Sequence, residues 1–167
     1  MFNLGILTIS DKGSQGKRLD KSGEVIKNSP LALDNSVVKY DVVPDEIDII
    51  ASKLTEWADE GGVDVILTTG GTGLGPRDVT PEATLSIVDR VVSGFAEAMR
   101  VKSFDTMPLS ILSRAAAGVR GECLIINLPG SPKAVQECLD IISVAIPHAV
   151  EILRGGVTEH TTDTEGD

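Results

Sequence analysis

"VDVILTTGGTGLGPRDVTPEAT", Val63 to Thr84, decides how this chain is read. Val63 to Thr69 is a short apolar, β-rich run that ends in threonines, the pattern of a strand buried in a parallel sheet. Thr68 to Gly73 is then almost entirely glycine and threonine, and Arg77 and Asp78 stand just before Thr80 and Pro81, which look like an N-cap and a first helical residue. Strand, glycine-rich loop and helix in that order make the basic unit of an α/β protein.

The same unit recurs on both sides. "LGILTIS" (Leu4 to Ser10), "SVVKYDVV" (Ser36 to Val43) and "ECLIINL" (Glu122 to Leu128) read as further strands. Between the second and third strands, "PDEIDIIASKLTEWADE" repeats Ile47, Ile50, Leu54 and Trp57 at three- and four-residue steps, one face of an amphipathic helix. Asp45 is placed to cap that helix. Leu85 and Val88 are expected to face inward after the glycine loop. Beyond "INLPG", Ser131 and Pro132 open a helix with Val135, Cys138, Leu139, Ile142 and Ile146 as its buried stripe, and Pro147 should kink or end it. Strands alternating with helices predict a doubly wound, mostly parallel α/β sheet with right-handed crossovers. Such sheets bind ligands beyond the carboxyl ends of their strands, which here carry "SDKGS", "VPD", "TTGGTG" and "LPGSPK".

A chain of 167 residues, 41% apolar and 24% charged, suits a single domain with its own core. No apolar run reaches the roughly 18 to 20 residues that cross a bilayer, and "MFNLGILTIS" has neither the basic start nor the small-residue cleavage site of a signal peptide, so a cytoplasmic protein is expected. A net charge of −10 argues against nucleic acid and anionic membranes as partners, though not against an anionic small molecule. Residues 156–167 read as a disordered acidic tail with His160 a solvated bystander. Cys123 and Cys138 lack metal-like spacing and read as small core residues.

Glycines let backbone N–H groups turn toward a ligand that a Cβ would block, and a following helix N-terminus adds positive dipole, which suits phosphate. No Gly-Lys-Ser/Thr follows, so this is not a Walker A loop, and Pro76 stands where G-x-G-x-x-G needs its third glycine. On the glycines alone, a generic anion loop and a plain set of tight turns both remain open. Asp78 adds weight to the first reading, because a carboxylate beside a phosphate cradle is repelled unless a cation such as Mg2+ bridges them. Asp78 and Asp45 each keep a second reading as simple N-caps. Arg77 and Lys133, and more weakly Lys12, Arg114 and Arg120, are the candidate cations for phosphate.

"TTGGTGLGPRDVTPEAT", "VPDE", "LSRAAAGVRG" and "LIINLPGSPKAVQECL…PHAVEILRG" together resemble the molybdopterin adenylyltransferases, the MogA/MoaB group, and especially the G domain of gephyrin and its plant counterpart. The likeness runs from about Leu4 to Gly155 in the family's motif order. It implies a three-layer α/β fold with helices on both faces, a molybdopterin-binding domain over residues 1–155, assembly as a homotrimer and dealings with other molybdenum cofactor synthesis proteins. The reaction implied is Mg2+-dependent transfer of adenylate from ATP to molybdopterin, releasing pyrophosphate. The family's two essential aspartates match Asp45 and Asp78, as catalytic residues and Mg2+ ligands. Substrate-binding positions carry over to Ser10, Asp11, Gly70, Gly71, Thr72, Gly73, Ser113, Gly130 and Ser131. The segment after the first strand, where Pro30 cuts the helix short, departs from the family.

Two other functions stand beside the enzyme: a carrier that binds molybdopterin or nucleotide without chemistry, and a trimeric scaffold domain. Asp45 and Asp78 favour catalysis, since a scaffold would tolerate their loss.

Overall fold

The computed structural model describes residues 1–156. Residues 157–167, which hold all but the first residue of the expected acidic tail and include His160, lie outside the described residues. Six strands form one sheet: β1 (Asn3–Ile9), β2 (Ser36–Val43), β3 (Val65–Thr69), β4 (Arg90–Val91), β5 (Ala117–Arg120) and β6 (Cys123–Leu128), in the spatial order β2-β1-β3-β6-β5-β4. The four strands expected from the sequence are the parallel ones, with Ile6 beside Leu67 and Leu67 beside Ile126. β5 runs antiparallel to β6, and β4 antiparallel to β5. These two are short and carry no long apolar run, which is why the sequence concealed them.

Successive side chains in a strand point to opposite faces, so each buried strand feeds two cores. Leu4, Ile6, Val65, Leu67, Leu124 and Ile126 pack on one face, beneath α2 (Lys21–Lys27), α3 (Pro30–Leu33), α6 (Ser93–Phe104), α7 (Pro132–Ile142) and α8 (Ile146–Leu153). Leu7, Ile9, Ile66 and Ile125 pack on the other, against α4 (Ile47–Asp59) and α5 (Thr80–Leu85). Helices therefore cover both faces, the three-layer arrangement expected. Gly5 sits in β1 because Trp57 of α4 lies against it: a Cβ there would come within 3.0 Å of the indole.

Local detail differs in instructive ways. Ile50, Leu54 and Trp57 are buried, but Ile47, the first residue of the helix, is 42% exposed. Leu85 is 46% exposed because α5 stops after six residues. Ser131 caps α7 as expected, accepting from Ala134 N at 3.2 Å. Its stripe ends at Ile142, while Ile146 belongs to α8, where Pro147 occupies the first turn. Proline is accommodated there because first-turn N–H groups have no intrahelical partner. Pro30 likewise opens α3, capped by Ser29. Cys123 and Cys138 are buried free thiols, pushed up to about 12 and about 11, chiefly by desolvation. No helix among the described residues is long and apolar enough to cross a membrane.

Candidate active site

The carboxyl ends of β1, β2, β3 and β6 meet along one edge. Ser10 N donates to Val43 O at 2.9 Å and Gly70 N to Leu128 O at 3.3 Å, so the loops leaving these strands start in register. Gly70 and Gly71 have φ of +101° and +65°. A Cβ on Gly70 would sit 2.3 Å from Ile9 O, and one on Gly71 would sit 2.3 Å from Thr80 Oγ1. These two positions therefore exclude other residues on both backbone and space. Thr80 does not cap α5, as the sequence suggested. It is the helix's first residue, and its hydroxyl donates to Gly70 O at 2.8 Å, tying α5 to the loop.

Gly71 and Gly130 form a ridge between two clefts. The first, of about 510 Å3, is lined by Ser10, Gly13, Arg18, Asp20, Lys21 and Asp45 as well as the ridge. The second, of about 460 Å3, takes in Thr72, Gly73, Asp78, Ser113 and Ser131, with Met99, Met107, Leu109 and Leu112 as apolar wall. Of the residues expected at the site, Ser10, Asp45 and Gly70 thus fall on one side of the ridge, and Thr72, Gly73, Asp78, Ser113 and Ser131 on the other.

Asp45 is not a helix cap. Glu46 holds the N-cap position of α4 without a side-chain bond, while Asp45 Oδ2 accepts from Asp11 N at 2.8 Å. Asp11 Oδ1 accepts in turn from Asp45 N at 3.1 Å. Asp11 itself is not among the residues lining either cleft. Arg77 donates to both of its carboxylate oxygens, at 3.0 and 2.8 Å, and also pairs with Glu46. That bidentate pair, with the bond from Asp45 N, holds the Asp11 carboxyl below its usual range. Arg77, expected to face phosphate, is occupied as a brace between loops. Asp45 is half-buried, and its pKa is raised, first by desolvation and then by the charges of Asp11 and Asp78.

Asp78 is not a cap either. Val79 holds that position for α5, and Asp78 Oδ2 accepts from Gly75 N at 2.8 Å, closing the loop upon itself. Arg114 then fastens this loop. Its backbone N donates to Thr72 O at 2.9 Å, its Nε to Gly73 O at 2.7 Å and its Nη2 to Asp78 O at 2.5 Å, while Nη1 pairs with Glu82. A residue weighed from the sequence as a weak phosphate cation is a clamp for the Asp78 loop. Lys133 pairs with Glu137, and Arg120 pairs with Asp59 and donates from Nη1 to Ile87 O.

Three features were not read from the sequence. Asn127 on β6 is fully buried and satisfied: its Nδ2 donates to Thr68 Oγ1 at 3.0 Å and Thr84 Oγ1 at 2.9 Å, and its Oδ1 accepts from Ala116 N at 3.2 Å. Asp20 accepts from Thr8 Oγ1 and Tyr40 Oη, both at 2.5 Å, and caps α2 through Gly23 N at 2.8 Å. The spacing of Asp20 and Gly23 in "DKSG" is a cap signal that could have been found. Ser22 Oγ, in the first turn of α2, donates to Gly130 O at 2.7 Å and so anchors the helix to the ridge.

No group of three or more metal-type side chains occurs among the described residues. Asp45 and Asp78 nevertheless suit Mg2+, which takes one or two carboxylates and completes its shell with water and substrate phosphates. The elevated pKa of Asp45 marks a carboxylate that a cation would relieve.

The chain as a whole has known relatives. Residues 5–148 match the family model described as "Probable molybdopterin binding domain". A molybdopterin adenylyltransferase of Helicobacter pylori strain J99 is 43% identical over 156 residues, spanning 92% of this chain and 89% of the relative. Gephyrin of Dictyostelium discoideum is 44% identical over 161 residues, 90% of this chain but 22% of gephyrin. Among solved structures, the molybdopterin biosynthesis enzyme MoaB of Thermus thermophilus superposes with a TM-score of 0.85 at 47% identity, covering 93% of this chain and 98% of that one. With the fold, the motif order and these relatives in agreement, the chain belongs to the molybdopterin-binding domain family of the MogA and MoaB proteins.

Proposed function

We propose that this protein adenylylates molybdopterin in molybdenum cofactor biosynthesis. The observation that carries the proposal is the placing of Asp45 and Asp78 on opposite sides of one glycine ridge, each lining its own cleft. Two clefts meeting at a ridge suit a reaction that joins two bulky anions. A terminal phosphate oxygen of molybdopterin attacks the α-phosphorus of ATP; the bond from that phosphorus to the bridging oxygen of the β-phosphate breaks, and pyrophosphate leaves with the electron pair. Among the described residues neither cleft is lined by an activated side-chain nucleophile, and the reaction requires none. Positioning and charge neutralisation supply most of the acceleration in transfers at phosphorus.

Gly70 and Gly71 pack without a Cβ against Ile9 O and Thr80 Oγ1, which seats the ridge between the two clefts, and the Gly70 N–H is committed to Leu128 O. Arg114 holds the Asp78 loop to the second cleft, and the Asp11–Asp45 bracket holds Asp45 to the first. Asp45 and Asp78 would hold Mg2+, which when bound neutralises the phosphates and polarises the reacting one. Residues 1–155 act as the molybdopterin-binding domain, in the cytoplasm, as a homotrimer. Exposed apolar side chains cluster on α6 and the 3-10 turn that follows, Val101, Phe104, Leu109 and Ile111 among them, which supports self-association.

Purified protein mixed with molybdopterin, ATP and Mg2+ should yield adenylylated molybdopterin and one pyrophosphate per turnover, and none in excess chelator. Binding of molybdopterin with no product would leave a carrier in place of an enzyme.

A further inference from the structure

Lys12, Lys17, Arg18 and Lys21 fall within ten positions between β1 and the start of α2, in a chain whose net charge is −10. Arg18 and Lys21 line the first cleft, beside Asp45 and the ridge. Neither forms an ion pair among the described residues. Three arginines near the clefts are committed. Arg77 pairs with Asp11 and Glu46, and Arg114 with the Asp78 loop and Glu82. Arg100, in the second cleft, donates to Ser113 O and Ala115 O. Asp20 shares the first cleft, but its oxygens are turned to Thr8, Tyr40 and Gly23 N, so its charge is spread over three donors.

The two clefts therefore differ in kind. One offers two cations free of ion pairs among the described residues, beside Asp20 and Asp45, over a glycine-rich floor, suited to a chain of phosphates that arrives with a bridging cation. The other offers an apolar wall of Met99, Met107, Leu109 and Leu112, suited to a flat ring. We infer that Arg18 and Lys21 receive the β- and γ-phosphates of ATP, so that the first cleft holds the end of the nucleotide that leaves as pyrophosphate. This rests on the adenylyl-transfer reading above. The negative charge these residues meet grows as the bond to the α-phosphorus breaks, so they bind the nucleotide and assist departure of the leaving group.

The test uses the full chain and two ligands, magnesium pyrophosphate and ATP, titrated calorimetrically onto the wild type and onto Arg18→Gln, Lys21→Gln and the double variant. Both side chains are exposed, so the fold should not change. The double variant should bind pyrophosphate and ATP at least about tenfold more weakly, with the KM for molybdopterin within about twofold of the wild type. The charge-preserving pair Arg18→Lys with Lys21→Arg should instead retain most of the wild-type affinity. Unchanged pyrophosphate and ATP affinity in the double glutamine variant would overturn the inference. So would weakened molybdopterin binding with ATP binding intact, which would give the first cleft to the other substrate. Wild-type protein that binds pyrophosphate through these residues yet forms no adenylylated product would uphold the polyphosphate site and remove the transfer reading instead.

Discussion

Asp11 and Asp45 hold each other by the backbone: Asp45 Oδ2 accepts from Asp11 N at 2.8 Å, and Asp11 Oδ1 accepts from Asp45 N at 3.1 Å. This reciprocal bracket joins the ends of β1 and β2 and sets Asp45 at the mouth of the first cleft. An asparagine at position 45 keeps an oxygen for Asp11 N but loses the charge.

Asp45→Asn and Asp78→Asn should therefore leave folded protein that binds molybdopterin but transfers adenylate at least ~100-fold more slowly, the scale of removing a group that acts chiefly in the transition state. The Asp78 loop has the same safeguard, since an asparagine oxygen can still accept from Gly75 N. Turnover, molybdopterin affinity and melting temperature measured together decide it. Near-normal turnover in both variants would end the catalytic assignment.

Arg114→Lys should lower kcat more than it raises either KM. A lysine keeps the charge but cannot bridge Gly73 O, Asp78 O and Glu82 at once, so the loop carrying Asp78 loosens while the clefts remain. A loss of kcat of about tenfold or more with a melting temperature within a few degrees of the wild type is expected, and equal kcat values would show that the clamp is idle.

Tyr40 is the chain's only tyrosine, which makes its phenol directly observable by ultraviolet titration. Its pKa is raised by desolvation, by its hydrogen bond to Asp20 and by the charges of Asp20 and Glu24. The folded protein thus keeps a proton that the unfolded chain releases near pH 10, so stability falls as pH rises above that value. No phenolate signal should develop at pH 10 until the protein unfolds, and Tyr40→Phe should flatten the alkaline loss of stability. A phenol that titrates near 10 in the folded state would contradict the Asp20 contact.

Asn127→Ala should cost about 2–4 kcal/mol, seen as a lower denaturation midpoint. It opens a small cavity and strips partners from Ala116 N and from the Thr68 and Thr84 hydroxyls, all in the interior. A change below about 1 kcal/mol would mean that water replaces the amide.

The four parallel strands, the helix that buries Ile50, Leu54 and Trp57, the sheet edge that carries the candidate loops and the start of α7 at Ser131 were legible from residues near one another in the chain, while β4, β5 and α6 were not. Buried strands announce themselves as apolar runs, and the Ser131 cap reaches only to Ala134 N. The glycine loop was legible too, because Gly70 and Gly71 occupy backbone conformations other residues rarely adopt.

What each polar side chain does was settled only by tertiary structure. Asp45 and Asp78 each had a partner on offer in the helix that follows, and both turned elsewhere: Asp45 to a backbone N–H 34 residues away, Asp78 to its own loop. Arg77 crosses 66 residues to Asp11, and Arg114 crosses 41 to Gly73 O. The physical reason is the sheet. Hydrophobic periodicity and caps act over one to four residues and so are written in local sequence, whereas the neighbours of a charge at the sheet's edge depend on which strands pair, with β1 between β2 and β3 bringing distant loops together. Local sequence specified the elements and supplied the charges; the strand order decided which charges cancel, which clamp, and which are left facing the clefts.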